Sequence, residues 1–334
     1  MAEDKVTFLD VTLRDGGYQN HWNFTQENAT AIVSLLYGAG VEHIEIGYRN
    51  CPPKEMDVGL SGRTPNEYIE ILRKEVPDAK LCVMYSPPLI KEDDLMQMAD
   101  LGVAMVRCSL PHTNQEAALP LIKKGVDLGM ISTANLTNVT EYKMDDMIDL
   151  ANKIIDNGCS VIYCADSNGN LTPETVHDLF DTLHERLHPV KLGFHNHNML
   201  GMAMANGIEA IRSGVDFLDG SLRGMGRSAG NLTTEFLITY LSRIYPEDSY
   251  SVRNVIRAAR YLCESFTAAN PHPVLEDMAY GAYDFDSLLG PLITEAACEY
   301  DVSWYSLIAQ MEKSKLDKPA ITLDTIREVA EKML

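Results

Sequence analysis

Two histidines separated by one residue, His195 and His197, carry the strongest chemical signal in the sequence. On an extended strand, residues two positions apart point to the same face, about 6 to 7 Å apart at Cα. Two neutral imidazoles that converge in this way suit one divalent metal ion. The alternative is a pair of surface or hydrogen-bonded histidines, because this spacing alone is common.

A carboxylate stands beside a cation in the segment Leu13–Gly17, which reads Leu-Arg-Asp-Gly-Gly. Asp15 could bind a metal and Arg14 could clamp a neighbouring anion. With the two histidines, Asp15 completes a set of two imidazoles and one carboxylate. Such a set leaves coordination positions open for substrate oxygens, as a Lewis-acid site requires. The alternative is an ordinary turn, since Asp-Gly is frequent in loops.

A glycine-rich segment, Gly224–Asn231, could be mistaken for a dinucleotide-binding fingerprint. It follows the last predicted strand instead of the first, however, and no acidic residue closes a following strand to bind a ribose. The segment leads into a predicted helix at Thr233–Tyr240. It could therefore present backbone N–H groups to an anion of the substrate.

Two charged residues, Glu45 and Arg107, lie between apolar neighbours within strand-like runs. One interpretation is a buried ion pair that fills the inside of the fold. The other is that buried charges are tolerated because they orient an active site.

The elements that must position these residues are eight short apolar runs that alternate with amphipathic stretches. The predicted strands are Val6–Leu13, His43–Tyr48, Lys80–Tyr85, Ala104–Leu110, Met130–Leu136, Ser160–Ala165, Val190–His197 and Phe217–Leu222. Alternation at roughly 30-residue spacing predicts parallel βαβ units. We expect an α/β fold, a TIM (β/α)₈ barrel over residues 1–243, with a doubly wound open sheet as the alternative.

Beyond the barrel the pattern is helical only. The predicted helices are Val252–Phe266, Ser287–Tyr300, Ser303–Glu312 and Leu323–Leu334. They predict a C-terminal helical region over residues 244–334. In a TIM barrel the chemistry lies at the carboxyl ends of the strands. Asp15 follows the first predicted strand and the two histidines lie at the end of the seventh, so these groups should meet.

Composition excludes several classes of function. The chain has 334 residues, 46% hydrophobic and 23% charged, with a net charge of −20. An acidic surface repels phosphate backbones and anionic lipid, so we expect no nucleic-acid or membrane partner. No apolar run approaches the roughly 18 residues of a membrane span, and no signal peptide pattern precedes the first strand. Seven cysteines without a C-x-x-C motif argue against disulfides and predict a cytoplasmic protein.

Three motifs together carry a family resemblance: LDVTLRDGG, HNHNMLGMAMANGIEAI and DGSLRGMGRSAGNLTTE. Over roughly residues 5–240 they resemble the metal-dependent aldolases and lyases that share an Asp-Arg-Glu constellation on a TIM barrel. These are the DRE-TIM metallolyases, or HMG-CoA lyase-like (pyruvate carboxyltransferase) domains. The motifs run most nearly in step with the 4-hydroxy-2-oxovalerate aldolase branch. The resemblance implies a lyase that makes or breaks a C–C bond next to a 2-oxo acid through a pyruvate-type enolate.

The resemblance also implies roles for individual residues. The matching metal ligands are Asp15, His195, His197 and Asn231. Arg14 matches the arginine that stabilises the enolate, and Glu45 matches the carboxylate that helps to hold it. The usual ion in the family is Mn²⁺ or Mg²⁺. The implied substrates are a small 2-oxo acid and an aldehyde. A homo-oligomer or a partner dehydrogenase, bound through the C-terminal helices, is the expected assembly.

Two departures from the family pattern matter. The aldolase branch has a catalytic histidine where this chain has Tyr18, so the general base is His21, Tyr18 through a water, or Tyr283, in that order. Tyr283 matches a catalytic tyrosine of the aldolase tail, with Tyr280 in reserve and a packing role as the alternative. The glycine-rich segment also lacks the cysteine of the CoA lyases, which disfavours that reaction.

Two other functions remain open. One is a Claisen-type condensation of an acyl-CoA with a 2-oxo acid, as in the isopropylmalate and homocitrate synthases. The other is a non-catalytic partner in a biosynthetic assembly, against which the intact metal set argues. Acyl-CoA consumption and metal content would separate these functions from the aldolase.

Overall fold

Eight parallel strands form a closed barrel in chain order. The computed structural model describes residues 6–50, 57–112, 115–246, 250–266 and 274–334. The strands are β1 Thr7–Asp10, β2 His43–Tyr48, β3 Lys80–Tyr85, β4 Met105–Leu110, β5 Ile131–Leu136, β6 Val161–Asp166, β7 Lys191–Asn196 and β8 Phe217–Gly220. The predicted TIM barrel is confirmed. The open sheet is wrong, because β1 pairs with β8 and closes the ring, with Thr7 opposite Phe217.

Helices surround the barrel. They are α1 Gln26–Tyr37, α2 Asn66–Glu75, α3 Glu92–Asp100, α4 Ala118–Asp127, α5 Met144–Asp156, α6 Pro173–Arg186, α7 Ala203–Arg212 and α8 Thr234–Ile244. Their apolar residues recur at helical spacing and face the strands. In α5, for example, Met147, Ile148, Ala151 and Ile154 are buried. Threonines begin α1 and α6 by accepting an N–H of the first turn, which stabilises those ends.

The two strands that carry the candidate site end earlier than expected. β1 stops at Asp10, whose Oδ1 accepts the N–H of Thr12 at 2.9 Å. The chain then turns, because the N–H groups of Arg14 and Asp15 both donate to the carbonyl of Val11. β7 stops at Asn196, and the next residue forms an isolated bridge to Asn231. Asp15 and His197 therefore lie just beyond the strand ends, and His195 lies within β7, one residue before its end.

The C-terminal helices divide by packing. They are α9 Val252–Ser265, α10 Leu275–Tyr283, α11 Gly290–Glu299, α12 Trp304–Lys313 and α13 Leu323–Glu331. α9 shares the barrel's hydrophobic cluster through Val255, Ala258 and Leu262. α10 to α13 share a second cluster that includes Ile293, Leu307 and Met311. A boundary at residue 243 stays a prediction, and α9 packs with the barrel.

Two further observations concern membrane-spanning helices and cysteine thiols. Within the described ranges, no helix is both long and apolar enough to cross a bilayer. Cys82, Cys108, Cys159 and Cys164 are buried free thiols. Cys51 lies outside the described residues.

His43, at the start of β2, should make stability depend on pH. Burial, followed by the charge of Lys80, lowers the pKa of His43 to about 4. The unfolded chain binds this proton near pH 6.5 and the native state does not, so stability falls as pH drops from 6.5 to 4. His43→Leu should remove up to about 3 kcal/mol of that loss. Buried Asp10, with its pKa raised to about 6, acts in the opposite direction in both proteins.

The measurement is urea unfolding of the wild type and of His43→Leu at several pH values. The difference in unfolding free energy between the two proteins isolates the histidine. A difference that stays constant from pH 7 to pH 4 would contradict a neutral buried His43.

Candidate active site

Three buried side chains converge at the carboxyl ends of the strands: Asp15, His195 and His197. One potential ligand atom from each lies within 4.8 Å of the others. The two imidazole rings are perpendicular, with centroids 5.0 Å apart. His195 Nδ1 lies 3.0 Å from Asp219 Oδ2, and His197 Nδ1 lies 3.3 Å from the carbonyl of Gly230. These contacts occupy the Nδ1 atoms and leave the Nε2 atoms for a ligand, as in metal-binding histidines.

Charge at this cluster favours a cation. Burial lowers the pKa of His197 to about 3, so this imidazole is neutral. Burial alone would raise the pKa of Asp15, but Arg14 and the two histidines hold it well below its usual range. The set therefore offers an ionised carboxylate and a neutral imidazole without first losing protons, which is the state that a metal ion binds.

Asn231 supplies the best test of whether these residues fit a metal. Its Nδ2 donates to Asp15 Oδ2 at 2.9 Å. Its Oδ1 is buried and has no hydrogen-bond partner among the described residues. A buried acceptor left unpaired costs free energy, and a divalent cation beside Asp15 would satisfy it. The donor set therefore fits a divalent metal.

Gly226 leaves the space that this arrangement needs. A Cβ at this position would lie 2.4 Å from Asn231 Nδ2 and 2.8 Å from Asp15 Oδ2. The N–H of the next residue, Arg227, donates to Asp15 Oδ2 at 3.4 Å. The glycine-rich segment thus directs a backbone N–H at a candidate metal ligand, where we had expected a substrate anion.

We expect Gly226→Ala to weaken metal binding. The added methyl group must displace Asn231 or Asp15, and such changes around ligands typically cost about 10- to 100-fold in metal affinity. Titration with Mn²⁺ measures the affinity, and thermal unfolding checks the fold. Gly38→Ala, at the end of α1, is the control and should bind the ion as the wild type does. Equal affinity in the two variants would contradict the close approach at Gly226.

Buried charges link the cluster to the barrel interior. Arg14 Nε donates to Glu45 Oε2 at 2.6 Å, and its Nη1 contacts Asp15. Arg107 is paired with Glu45 at 3.1 Å and with Asp219 at 2.6 Å. Asp219 in turn contacts His195. Both interpretations of Glu45 and Arg107 therefore hold, because the pair fills the barrel interior and also fixes two residues of the site.

The second glycine of the Leu13–Gly17 segment, Gly17, is required by packing. Trp22 Nε1 donates to the carbonyl of Arg14 at 2.7 Å. A Cβ on Gly17 would lie 2.1 Å from the Trp22 ring. Only glycine lets the indole approach closely enough to hold the backbone of Arg14.

The cluster lies in a cavity of about 410 Å³ at this end of the barrel. Arg14, Asp15, His195 and His197 line one side of it. The C-terminal region forms another wall. Its lining residues are Phe285, Asp286, Leu288, Leu289, Lys318, Pro319 and Ile321.

The structure does not bring all the predicted catalytic residues to this cavity. His21 is exposed, because its backbone is left-handed with φ of 55° and its carbonyl accepts the N–H of Gly59. Tyr283 lines a separate groove between α10 and α12. Tyr18 does line the cavity and is hydrogen-bonded to Tyr48.

Sequence reasoning missed several cavity residues, of which Arg227 is the clearest. Its Nη1 is paired with Asp286 and its Nη2 donates to the carbonyl of Ser167 at 3.1 Å. This contact ties the glycine-rich segment to the C-terminal wall. The one available signal was the position of Arg227 within the glycine-rich segment.

The comparisons with known proteins begin with the family. Residues 5–261 match the HMGL-like family. The chain belongs to this family. Among curated HMGL-like relatives, a 4-hydroxy-2-oxovalerate aldolase of Geobacillus genomosp. 3 is 30% identical over 265 residues, 79% of this chain and 78% of that protein. An oxaloacetate decarboxylase of Mycobacterium tuberculosis is 29% identical over 309 residues, 92% of this chain and 90% of that protein.

Solved structures agree with the family. The N-terminal domain of a putative aldolase from Bacteroides vulgatus has a TM-score of 0.74 at 28% identity, over 85% of this chain and 94% of that one. The carboxyl transferase domain of Rhizobium etli pyruvate carboxylase has a TM-score of 0.77 at 17% identity, over 99% of this chain and 60% of that one. The latter likeness shows the fold alone. This HMGL-like chain is an aldolase or lyase of the DRE-TIM family, whose aldolases use a divalent metal.

Proposed function

We propose that this protein is a class II-type aldolase that cleaves or forms a C–C bond next to a 2-oxo acid, through a pyruvate-type enolate. The observation that carries the proposal is the cluster of Asp15, His195 and His197, with Arg14 beside it in the same cavity. A 4-hydroxy-2-oxo acid is the substrate class that the aldolase relatives suggest.

Four residues would hold the metal, Mn²⁺ or Mg²⁺: Asp15, His195, His197 and Asn231. When bound, the ion would supply a Lewis acid for the carbonyl of the 2-oxo acid. Asp219 and the carbonyl of Gly230 orient the two imidazoles by their contacts with the Nδ1 atoms. The protein's own residues keep the carboxylate of Asp15 ionised, the imidazole of His197 neutral and both imidazoles aligned.

Arg14 has the charge and the rigidity to stabilise the enolate. Its guanidinium is fixed between Glu45 and Asp15, and burial opposes its charge less than these carboxylates favour it, so its pKa stays above its ordinary value. A fixed donor aimed at the oxygen where negative charge develops lowers the barrier without reorganisation.

Tyr18 is the cavity residue that we propose for transfer of the hydroxyl proton, through a water. It takes the position of the family histidine and lines the cavity, with 39% of its surface exposed. The neutral phenol, hydrogen-bonded to Tyr48, can position a water against the substrate hydroxyl. His21 and Tyr283, the other candidates, lie outside the cavity lining.

Tyr18→Phe should therefore slow aldol cleavage by about 10²-fold, the usual loss of one proton-transfer group. His21→Ala, with its exposed side chain, is the matched control and should cleave at the wild-type rate. Steady-state cleavage of a 4-hydroxy-2-oxo acid measures both. The reverse ranking of the two variants would return the base to His21.

The test of the function is exchange of the pyruvate methyl protons with D₂O, followed by NMR. We expect exchange with Mn²⁺ present and none after removal of the metal by a chelator. The experiment needs no knowledge of the aldehyde. Absence of exchange in the metal-loaded protein would contradict a pyruvate-type enolate.

Decarboxylation of a 2-oxo diacid is a second candidate. The M. tuberculosis decarboxylase aligns over 92% of this chain. Loss of CO₂ gives the same enolate, and this reaction needs no base to take a proton from a hydroxyl group. The family histidine is replaced by Tyr18, which fits that simpler requirement. Oxaloacetate consumption, compared with cleavage of a 4-hydroxy-2-oxo acid, decides between the two. Assembly with a second copy or with a dehydrogenase stays a prediction.

A further inference from the structure

We propose that the side of the cavity around Glu141 binds the acceptor aldehyde, and that this acceptor is a neutral hydroxylated aldehyde longer than acetaldehyde. The inference rests on the proposed aldolase function and names its second substrate. It is carried by the size of the cavity, by the groups opposite the metal cluster and by the pairing of the nearby cations.

The cavity is larger than the smallest substrates require. Pyruvate and acetaldehyde together have about nine non-hydrogen atoms and need roughly 270 Å³ even at about 30 Å³ per atom, the share of one liquid water. The cavity measures about 410 Å³. In a closed barrel of eight strands, β5 lies opposite β1. Glu141 follows β5 and Asp15 follows β1, so the remaining space extends from the metal cluster towards Glu141.

Glu141 presents a carboxylate to this space. Its Oε1 accepts from Asn138 Nδ2 at 3.1 Å and from Asn168 Nδ2 at 3.2 Å, which fixes the side chain. Its Oε2 faces His112 Nε2 at 3.8 Å, and the glutamate side chain is only 5% exposed. His112 itself is stacked on Tyr142 and also lines the cavity.

A substrate beside Glu141 must donate hydrogen bonds. An alkyl chain would remove water from the carboxylate without replacing its hydrogen bonds, which is costly. Hydroxyl groups donate to a carboxylate, and their carbon atoms suit the apolar wall that Phe285 and Leu289 contribute. Carboxylate oxygens close to an apolar surface therefore indicate a hydroxylated carbon chain.

An anionic acceptor is disfavoured by the pairing of the cations. Lys318 Nζ lies 2.6 Å from Asp284 Oδ2, and Arg227 is paired with Asp286. Glu141 adds a further negative charge to the same side of the cavity. A phosphate or carboxylate on the acceptor would meet the carboxylates of Asp286 and Glu141, which line the cavity, whereas Arg227 and Lys318 on the same side are already paired.

The reaction balances without a further reactant. The methyl carbon of pyruvate loses a proton and forms a bond to the carbonyl carbon of the aldehyde. The aldehyde oxygen receives a proton and becomes the hydroxyl of the 4-hydroxy-2-oxo acid. No oxidant or reductant is needed in either direction.

The experiment measures aldol addition of pyruvate to propanal, glyceraldehyde, erythrose and glyceraldehyde 3-phosphate by the Mn²⁺-loaded protein. We expect kcat/KM for glyceraldehyde or erythrose to exceed that for propanal by about tenfold or more, as for one hydrogen bond to a charged group. Glyceraldehyde 3-phosphate should be a poorer substrate than glyceraldehyde. Equal or higher kcat/KM for propanal, or a preference for the phosphate, overturns the proposal.

Two variants locate the preference. Glu141→Gln should lower kcat/KM for glyceraldehyde by about tenfold and leave propanal addition unchanged. Glu116→Gln, on the exposed surface, is the control and should keep the wild-type preference. If Glu141→Gln does not fold, His112→Phe is the second variant. It keeps the stacking on Tyr142 but removes the imidazole that faces Glu141, so it should reduce the preference for glyceraldehyde over propanal. An unchanged preference in the folded variant overturns the subsite.

Pyruvate methyl exchange separates this proposal from the function on which it rests. Exchange in the wild type and in Glu141→Gln, without a preference for hydroxylated aldehydes, refutes only the subsite. Absence of exchange in the wild type refutes the aldolase function and the acceptor subsite together.

Discussion

Arg14→Lys is expected to lower the rate of aldol cleavage by about 10²- to 10³-fold, the usual cost of one well-placed donor. Arginine holds Glu45 through Nε and contacts Asp15 through Nη1, and lysine has a single nitrogen that cannot keep both contacts. Lysine would keep the positive charge, but that charge would no longer have the same position relative to the enolate oxygen. Since the effect is on the transition state, kcat should fall and metal content should stay at the wild-type value.

Steady-state kinetics and metal analysis of the same preparation measure both quantities. Arg186→Lys, in which an exposed arginine on α6 is changed, is the control and should have wild-type kinetics. Near-normal turnover of Arg14→Lys would show that Arg14 has only a structural role.

Arg107→Met is expected to lower the free energy of unfolding by about 3 to 5 kcal/mol, the typical cost of breaking a buried ion pair from one side. Methionine has a similar volume, so packing is largely kept. Glu45 and Asp219 would lose the guanidinium that lies between them inside the barrel, where all three side chains are fully buried. The contact of Arg107 with the Tyr163 ring, 4.2 Å from its centroid, would also be lost.

Urea unfolding of the wild type and the variant measures this loss. Arg260→Met removes an ion pair with Glu264 on the exposed face of α9 and should leave the unfolding free energy nearly unchanged. A loss for Arg107→Met as small as that of the control would contradict the buried network.

Much of the barrel follows from sequence periodicity. Alternating apolar runs and amphipathic helices predicted eight parallel strands, because hydrophobic spacing is a local property of the chain. The convergence of Asp15 with His195 and His197 followed from the rule that barrel strands bring their carboxyl ends together. The turn after Asp10 was not predictable from spacing, because a side-chain hydrogen bond to Thr12 ends the strand.

The cavity wall from the C-terminal region could not be predicted in this way. Arg227 and Asp286 are separated by 59 positions, and no periodic pattern relates them. α10 was also not predicted as a helix. Similarly, sequence distance placed His21 near Asp15, but two successive left-handed residues, His21 and Trp22, carry the chain away from the cavity. Tertiary packing decides each of these cases.

Metal content tests the central claim most directly. The wild type, His195→Ala, His197→Ala and the control His184→Ala, whose histidine lies on α6 away from the cluster, are loaded with Mn²⁺, dialysed and analysed for bound metal. We expect about one ion per chain in the wild type and the control, and nearly none in the two cluster variants, since both imidazoles are ligands. Full metal occupancy in both His195→Ala and His197→Ala would contradict the site and the aldolase function that depends on it.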